Sequence, residues 1–260
     1  MALLRPRAIA VATGVPVLFA VLATGLAIAP AQPRASADEV TAAVAAPVVP
    51  IAPFAVTMAD PRALHRAIPV VHRVRTHDPV AFITIDDGVH KDPAALAYVR
   101  RLRLPVTAFL SAWTIKDRAG YFTALTTWGS VQNHSATHAS FADRKTDLAY
   151  EICYSQRALS RDFGTTPWML RPPYGEGIHR FGTVMNAERC DIDQIVLWDA
   201  TVHDGRVQFA NGRLRPGSIL LLHFTPDLAR DLRAAVRAVR AAGLTPASLA
   251  EYLHAPSSAT

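Results

Sequence analysis

Two adjacent carboxylates, Asp86 and Asp87, lie between an apolar run and a glycine in Thr84-Ile85-Asp86-Asp87-Gly88. Neighbouring carboxylates can divide the work of a site, one ligating a cation and the other taking a proton. The same residues also make an ordinary turn. Further on, His134-Ser135-Ala136-Thr137-His138 sets two imidazoles four residues apart. On a helix they share a face and reach one ion; off a helix the spacing is incidental. In Arg171-Pro172-Pro173-Tyr174-Gly175 two prolines and a glycine stiffen a turn. Arg171 could fix and polarise a carboxylate there, and a turned backbone N–H such as that of Tyr174 could face an oxyanion. Last come Asp199 and Asp204, followed by Leu221-Leu222-His223. A histidine near an aspartate is a natural general acid, and equally a satisfied core residue. Each segment alone has a bland reading; their joint occurrence in this order is far less expected by chance.

These segments need elements to hold them. Short apolar runs alternate with helical patterns from about Pro79 onward. Strands are predicted over 80–85, 106–110, 130–132, 168–171, 194–198 and 218–222. Helices are predicted over 93–103, 121–128, 147–161, 178–188 and 226–241, and 248–253 closes the domain. Such alternation argues for parallel β/α units, as a barrel or an open sheet. Asp86, Asp87, Arg171, Asp199 and His223 fall at or just after predicted strand ends, the edge that carries the active site in parallel β/α folds.

The remaining features bound where such a domain works. The first 37 residues hold Arg5, Arg7 and Arg34 but no Lys and no acid. Arg5 and Arg7 precede an uncharged, mostly apolar run over 8–29, and Ala35-Ser36-Ala37 is an A-x-A cleavage site. The segment reads as a signal peptide cleaved after Ala37 or, uncut, as a membrane anchor. In both cases the domain is extracytoplasmic and faces the cell wall. Membrane contact is expected only if the anchor is retained. Without the segment the net charge falls from +6 to +3, and no Lys/Arg run is long enough for a nucleic-acid footprint. Residues 38–69 are an Ala/Pro-rich linker, 70–255 the catalytic domain and 256–260 a tail. Cys153 and Cys190 are the only cysteines; two readings stay open, a disulfide, which an oxidising compartment allows, and two buried thiols. The arginines of the 226–241 helix read as a solvated face.

Taken in order, T-x-D-D-G, H-S-x-x-H, R-x-P-Y-G, D-x-x-x-x-D and L-x-H resemble the NodB-homology domain of polysaccharide deacetylases, carbohydrate esterase family four, over roughly residues 74–253. The resemblance implies a distorted (β/α)7 barrel and removal of acetyl groups from N-acetylated glycans, peptidoglycan or chitin-like. It implies that Asp87, His134 and His138 bind one divalent metal, zinc being the expected ion. Asp86 would be the general base and Arg171 its orienting cation. The Tyr174 N–H would face the oxyanion, and His223 would be the acid oriented by Asp204. An acetylated polysaccharide is the implied partner. O-deacetylation, as on acetylated xylan, uses the same groups, and a glycan-binding pseudoenzyme would lack one of them. The chain departs from the family in three places: Ile85 stands for a usual Phe, Gln132-Asn133 for Gly-Asn, and Gly205 for the Trp expected after Asp204.

Overall fold

The computed structural model describes residues 67–254. The segment read as an export signal, nearly all of the expected linker and the expected tail therefore lie outside the described residues. The sheet grows from β2 (Val80–Asp87), whose sequence VAFITIDD is apolar on both faces as befits a central parallel strand. It pairs in parallel with β3 (Val106–Leu110) on one side and β9 (Ser218–His223) on the other. Beyond β3 come β4 (Ser130–Asn133), β5 (Met169–Leu170), β6 (Gln194–Val196) and β1 (Val70–Val71), all parallel. Beyond β9 comes β7 (Ala200–His203), which carries β8 (Arg206–Phe209) antiparallel at the edge. A short β10 (Thr245–Pro246) pairs with the start of β2. The sheet curls into a distorted (β/α)7 barrel, and among the described residues no ladder joins β1 to β8.

Strand alternation sorts the side chains into two layers. From β2, Ala81, Ile83 and Ile85 face a core shared with the outer helices α1 (Pro93–Leu102), α2 (Ala119–Leu125) and α5 (Leu228–Ala241). Helix α5 contributes Leu228, Leu232, Ala235, Val236 and Val239, an apolar stripe at helical spacing. Phe82 faces the other way, packing with Phe109, Met169, Val196 and Ile219 and closed over by α6 (Leu249–His254). Each fully buried Ile or Leu contributes about 1.5–3 kcal/mol. On that interior face, Thr84 and Asp86 follow Phe82 and deliver a carboxylate to the C-terminal mouth.

One predicted element takes another form, and a stretch for which no element is predicted forms a hairpin. The helix expected over 147–161 contains a π-helical turn, Tyr150–Tyr154, before α3 (Ser155–Phe163). The stretch after Asp199 is the β7–β8 hairpin, turned by Asp204-Gly205 with φ of 52° and 71°. Positive φ at both positions is the type I′ signature of an Asp-Gly pair, a signal the strand-and-helix reading passed over.

Cys153 and Cys190 are bonded, with Cα atoms 5.4 Å apart, tying the π turn to the end of α4 (Phe181–Arg189) across 37 residues. Closing a loop of that length restricts the unfolded chain by roughly 3–4 kcal/mol. Cys153→Ser/Cys190→Ser is therefore expected to lose about that much in chemical denaturation monitored by tryptophan fluorescence. Loss of under about 1 kcal/mol would show that the cross-link adds little.

Candidate active site

Three loops at the strand ends converge. At the end of β2, Asp86 is 2% exposed while Asp87 turns out of the strand with φ 82°. The Asp87 carbonyl accepts from the Ser111 N–H and the Thr114 hydroxyl, at 3.0 and 2.9 Å. The second loop leaves β4 through the buried Asn133, whose side-chain oxygen accepts from Ser135 N–H at 2.9 Å. The His pair lies in this loop and not on a helix. Positive φ at Ser135 (75°) and His138 (66°) folds the loop back so that both imidazoles face Asp87. The third loop, after β5, carries Arg171 and a 3-10 turn, Pro173–Gly175, with Tyr174 at φ 60°. Four of the eight non-glycine residues with positive φ among the described residues are thus at one place. Each costs about 1–3 kcal/mol and persists where surrounding bonds dictate it, as at functional sites.

Asp87 Oδ1 lies 3.1 Å from His138 Nε2 and 3.4 Å from His134 Nε2. His134 Nδ1 is 2.6 Å from the Arg171 carbonyl, so it carries the proton there and leaves Nε2 its lone pair. Asp87 Oδ1 is buried with no hydrogen-bond partner assigned. Burial alone would raise the Asp87 pKa, but the adjacent His134 and His138 outweigh it and hold the carboxyl well below its usual range. The Asp87 carboxylate in turn raises the His138 pKa. Two imidazoles and one ionised carboxylate, with ligand atoms within 4.8 Å of one another, fit a divalent metal with open positions.

Beside this trio Arg171 is fully buried. Its Nη1 donates to Asp86 Oδ1 at 2.6 Å and to Thr84 Oγ1 at 2.8 Å. Its Nε and Nη2 donate to the Val196 and Leu197 carbonyls at 3.0 and 3.1 Å. The guanidinium also lies 4.2 Å from the Phe109 ring centre. A buried charge needs such pairing, and the residue that pairs it is Asp86. The Tyr174 ring packs edge-on against His138 at 4.8 Å. His223, half-buried at the end of β9, stands in register with Asp86.

Asp204 is not brought to His223. It occupies the hairpin turn, 61% exposed, with Oδ1 3.1 Å from Arg230 Nη2 and Oδ2 3.5 Å from His203 Nε2. Arg230 is therefore not merely one of a solvated row of arginines. Among the described residues no carboxylate makes an ion pair with His223. Asp199 is also placed elsewhere: it binds Ser218 Oγ and Ile219 N–H at the beginning of β9, about 13 Å of strand from His223.

Gly205, where the family pattern has Trp, donates its N–H to the buried Asp231 at 2.6 Å. A Cβ there would sit 3.2 Å from Arg230 Nε. Since φ is +71°, Gly205→Trp is expected to destabilise by about 1–2 kcal/mol and not to raise activity. A thermal shift together with a rate assay checks this; a more active variant of unchanged stability would contradict it.

A residue missed by sequence reasoning holds the loop that carries His134 and His138. Glu151, 4% exposed, accepts from Ala136 N–H (3.0 Å), Thr137 N–H (2.8 Å) and the Thr137 hydroxyl (2.5 Å). Its signal was an acid at an apolar-face position, with Leu148, Ile152, Ser155 and Leu159 at helical spacing around it.

A family model described as polysaccharide deacetylase matches residues 73–191, which include Asp86, Asp87, His134, His138 and Arg171. An uncharacterized protein of Streptomyces coelicolor is 36% identical over 197 residues, covering 72% of this chain and 78% of that protein. A bifunctional xylanase/xylan deacetylase of Cellvibrio japonicus is 27% identical over 150 residues, covering 54% of this chain but only 22% of that protein. Among solved structures, a CE4 family pseudoenzyme from Bacillus anthracis is similar with a TM-score of 0.60 at 17% identity, covering 72% of this chain and 70% of that chain. With this site on this barrel, the chain belongs to the polysaccharide deacetylase family, the NodB-homology domains of carbohydrate esterase family four.

Proposed function

We propose that the protein is an exported, metal-dependent hydrolase that removes acetyl groups from an N-acetylated extracellular glycan, releasing acetate and a free amine. The observation that carries this reading is the juxtaposition of two differently dressed carboxylates: Asp87 among imidazoles, Asp86 on a buried arginine. Such separation of environments is how neighbouring carboxylates acquire different roles. Asp87, His134 and His138 would hold the metal. Zinc is the expected ion for two imidazoles and a carboxylate, and when bound it lowers the pKa of a water and polarises an acyl oxygen.

The chain's own groups supply the remaining steps. Asp86, oriented by Arg171, takes a proton as a water oxygen bonds to the acyl carbon. The Tyr174 N–H, on a turn held at positive φ, donates to the oxyanion. His223 gives its proton to the nitrogen as the C–N bond breaks, which an amine leaving group requires. The orienting role expected of Asp204 passes to no carboxylate of the described residues. His223 then relies on its strand-end position, with Phe224 N–H bonded to the Asp86 carbonyl at 3.1 Å.

The disulfide and the leader sequence both support a place outside the cytoplasm. A pseudoenzyme reading is disfavoured because Asp86, Asp87, His134, His138, Arg171 and His223 are all present. The xylan-deacetylase relative favours O-deacetylation as the second reading. Acetate release measured in parallel on N-acetylglucosamine oligomers, peptidoglycan and acetylxylan decides between them: release from the N-acetylated substrates is expected, and release from acetylxylan alone would replace the first reading by the second.

A further inference from the structure

Of the seven large apolar side chains left exposed among the described residues, five stand on segments that build the site: Val89, Trp113, Tyr150, Tyr154 and Tyr174. Scattered exposure needs no explanation, but grouped exposure marks a binding surface. Trp113 is fixed to the metal loop, its N–H donating to the Ala136 carbonyl at 3.1 Å while Ala112 N–H donates to that of Ser135 at 3.1 Å. Its indole is 49% exposed and forms a wall common to two clefts. The first, of about 410 Å³, is bounded by Ala136 and Thr137, two of the three residues between the two histidines, and by Tyr150 and Tyr154. Those two rings stack at 4.7 Å and 17°. The second, of about 560 Å³, begins at Val89, two residues after Asp87.

Both clefts are cationic. Lys116 lines each of them, and Lys91 and Arg118 line the second. Lys91 is partly committed, donating to the Thr114 carbonyl at 2.8 Å. Burial and the nearby Arg118 charge both lower its pKa, as expected where like charges gather. The acid that lines the first cleft, Asp162, is already bound to Arg161 at 2.7 Å. No acid of the described side chains lines the second. Flat aromatic faces suit the apolar faces of sugar rings, and excess cations suit carboxylates.

We infer that the two clefts on either side of Trp113 are subsites for neighbouring sugars of a polymeric, carboxylate-bearing glycan, with the indole and the Tyr150/Tyr154 pair as stacking faces and Lys116 and Arg118 as carboxylate partners. This rests on the proposed deacetylase reading and narrows its substrate from N-acetylated glycans in general to acidic ones.

The test is calorimetric binding to the full chain carrying Asp86→Asn, so that ligand is held but not cleaved. The probes are a chitin oligomer and a peptide-free peptidoglycan strand of matched length, whose alternate sugars carry a lactyl carboxylate. Trp113→Ala should weaken both by about tenfold, as loss of a stacking anchor does, and Trp113→Phe should restore most of it. Lys116→Gln/Arg118→Gln should weaken only the peptidoglycan strand, by about three- to tenfold, and flatten its salt dependence. Trp113→Ala binding both oligomers like its parent overturns the subsites. A charge variant that acts on both oligomers alike, or on neither, overturns the acidic glycan. Should binding follow the expected pattern while the wild type releases no acetate from any substrate, the deacetylase reading falls and the clefts stand.

Discussion

Asp86→Asn is expected to lower acetate release by about 10²–10⁴-fold while bound divalent metal stays at the wild-type level. The asparagine oxygen can still accept from Arg171 Nη1, 2.6 Å away in the wild type, but it cannot take a proton from water. The charge is lost beside a fully buried guanidinium, and breaking such a pair costs about 3–5 kcal/mol. The remaining bonds of Arg171 to Thr84 Oγ1 and to the Val196 and Leu197 carbonyls limit that loss. Initial rates, metal analysis and chemical denaturation on one preparation separate the three effects. Asp87→Asn provides the contrast, since it should lose metal and activity together. An Asp86→Asn protein working within tenfold of wild type would remove Asp86 from the base role.

Glu151→Ala should be nearly as damaging although Glu151 touches neither imidazole. Three donors of the metal loop end on this carboxylate: Ala136 N–H, Thr137 N–H and the Thr137 hydroxyl. Truncation leaves the buried Ala136 N–H and the partly buried Thr137 N–H without their acceptor, at about 2–4 kcal/mol together. The loop also sets His138, whose N–H donates to Ser135 Oγ at 2.9 Å. Losing such outer support typically weakens metal affinity by about 10–100-fold. Glu151→Gln keeps one oxygen for the backbone pair and should fall between wild type and Ala in both denaturation midpoint and zinc affinity. Unchanged zinc affinity in Glu151→Ala would show that the loop holds its shape without this residue.

The strand ends were legible because their chemistry is written in contiguous residues. The apolar run 80–85 ends in two aspartates, and a central parallel strand delivers them to the mouth of the barrel. The His pair was legible in type and spacing but not in conformation, since i and i+4 on a helix and a doubly left-handed loop bring the same two rings together. Asp204 was misplaced because order along the chain does not encode direction. Its Asp-Gly pair, a local signal, marks a hairpin tip, where the fold gives its side chain Arg230 as partner. Glu151 and Arg230 were hidden for a common reason. Their partners, at Ala136–Thr137 and Asp204, are remote in sequence, so only the fold pairs them. The π turn that presents Glu151 has no period to betray it within an otherwise helical pattern.

The decisive measurement is a calorimetric zinc titration of the metal-stripped full chain, wild type beside His134→Ala and His138→Ala. The expected result is one zinc per wild-type chain and a loss of affinity of at least about a hundredfold in each variant, because each imidazole supplies one ligand of a compact set. A wild-type chain that takes up no zinc, or variants that bind it as tightly as the wild type, would show that Asp87, His134 and His138 do not form a metal centre and that the proposed chemistry needs another origin.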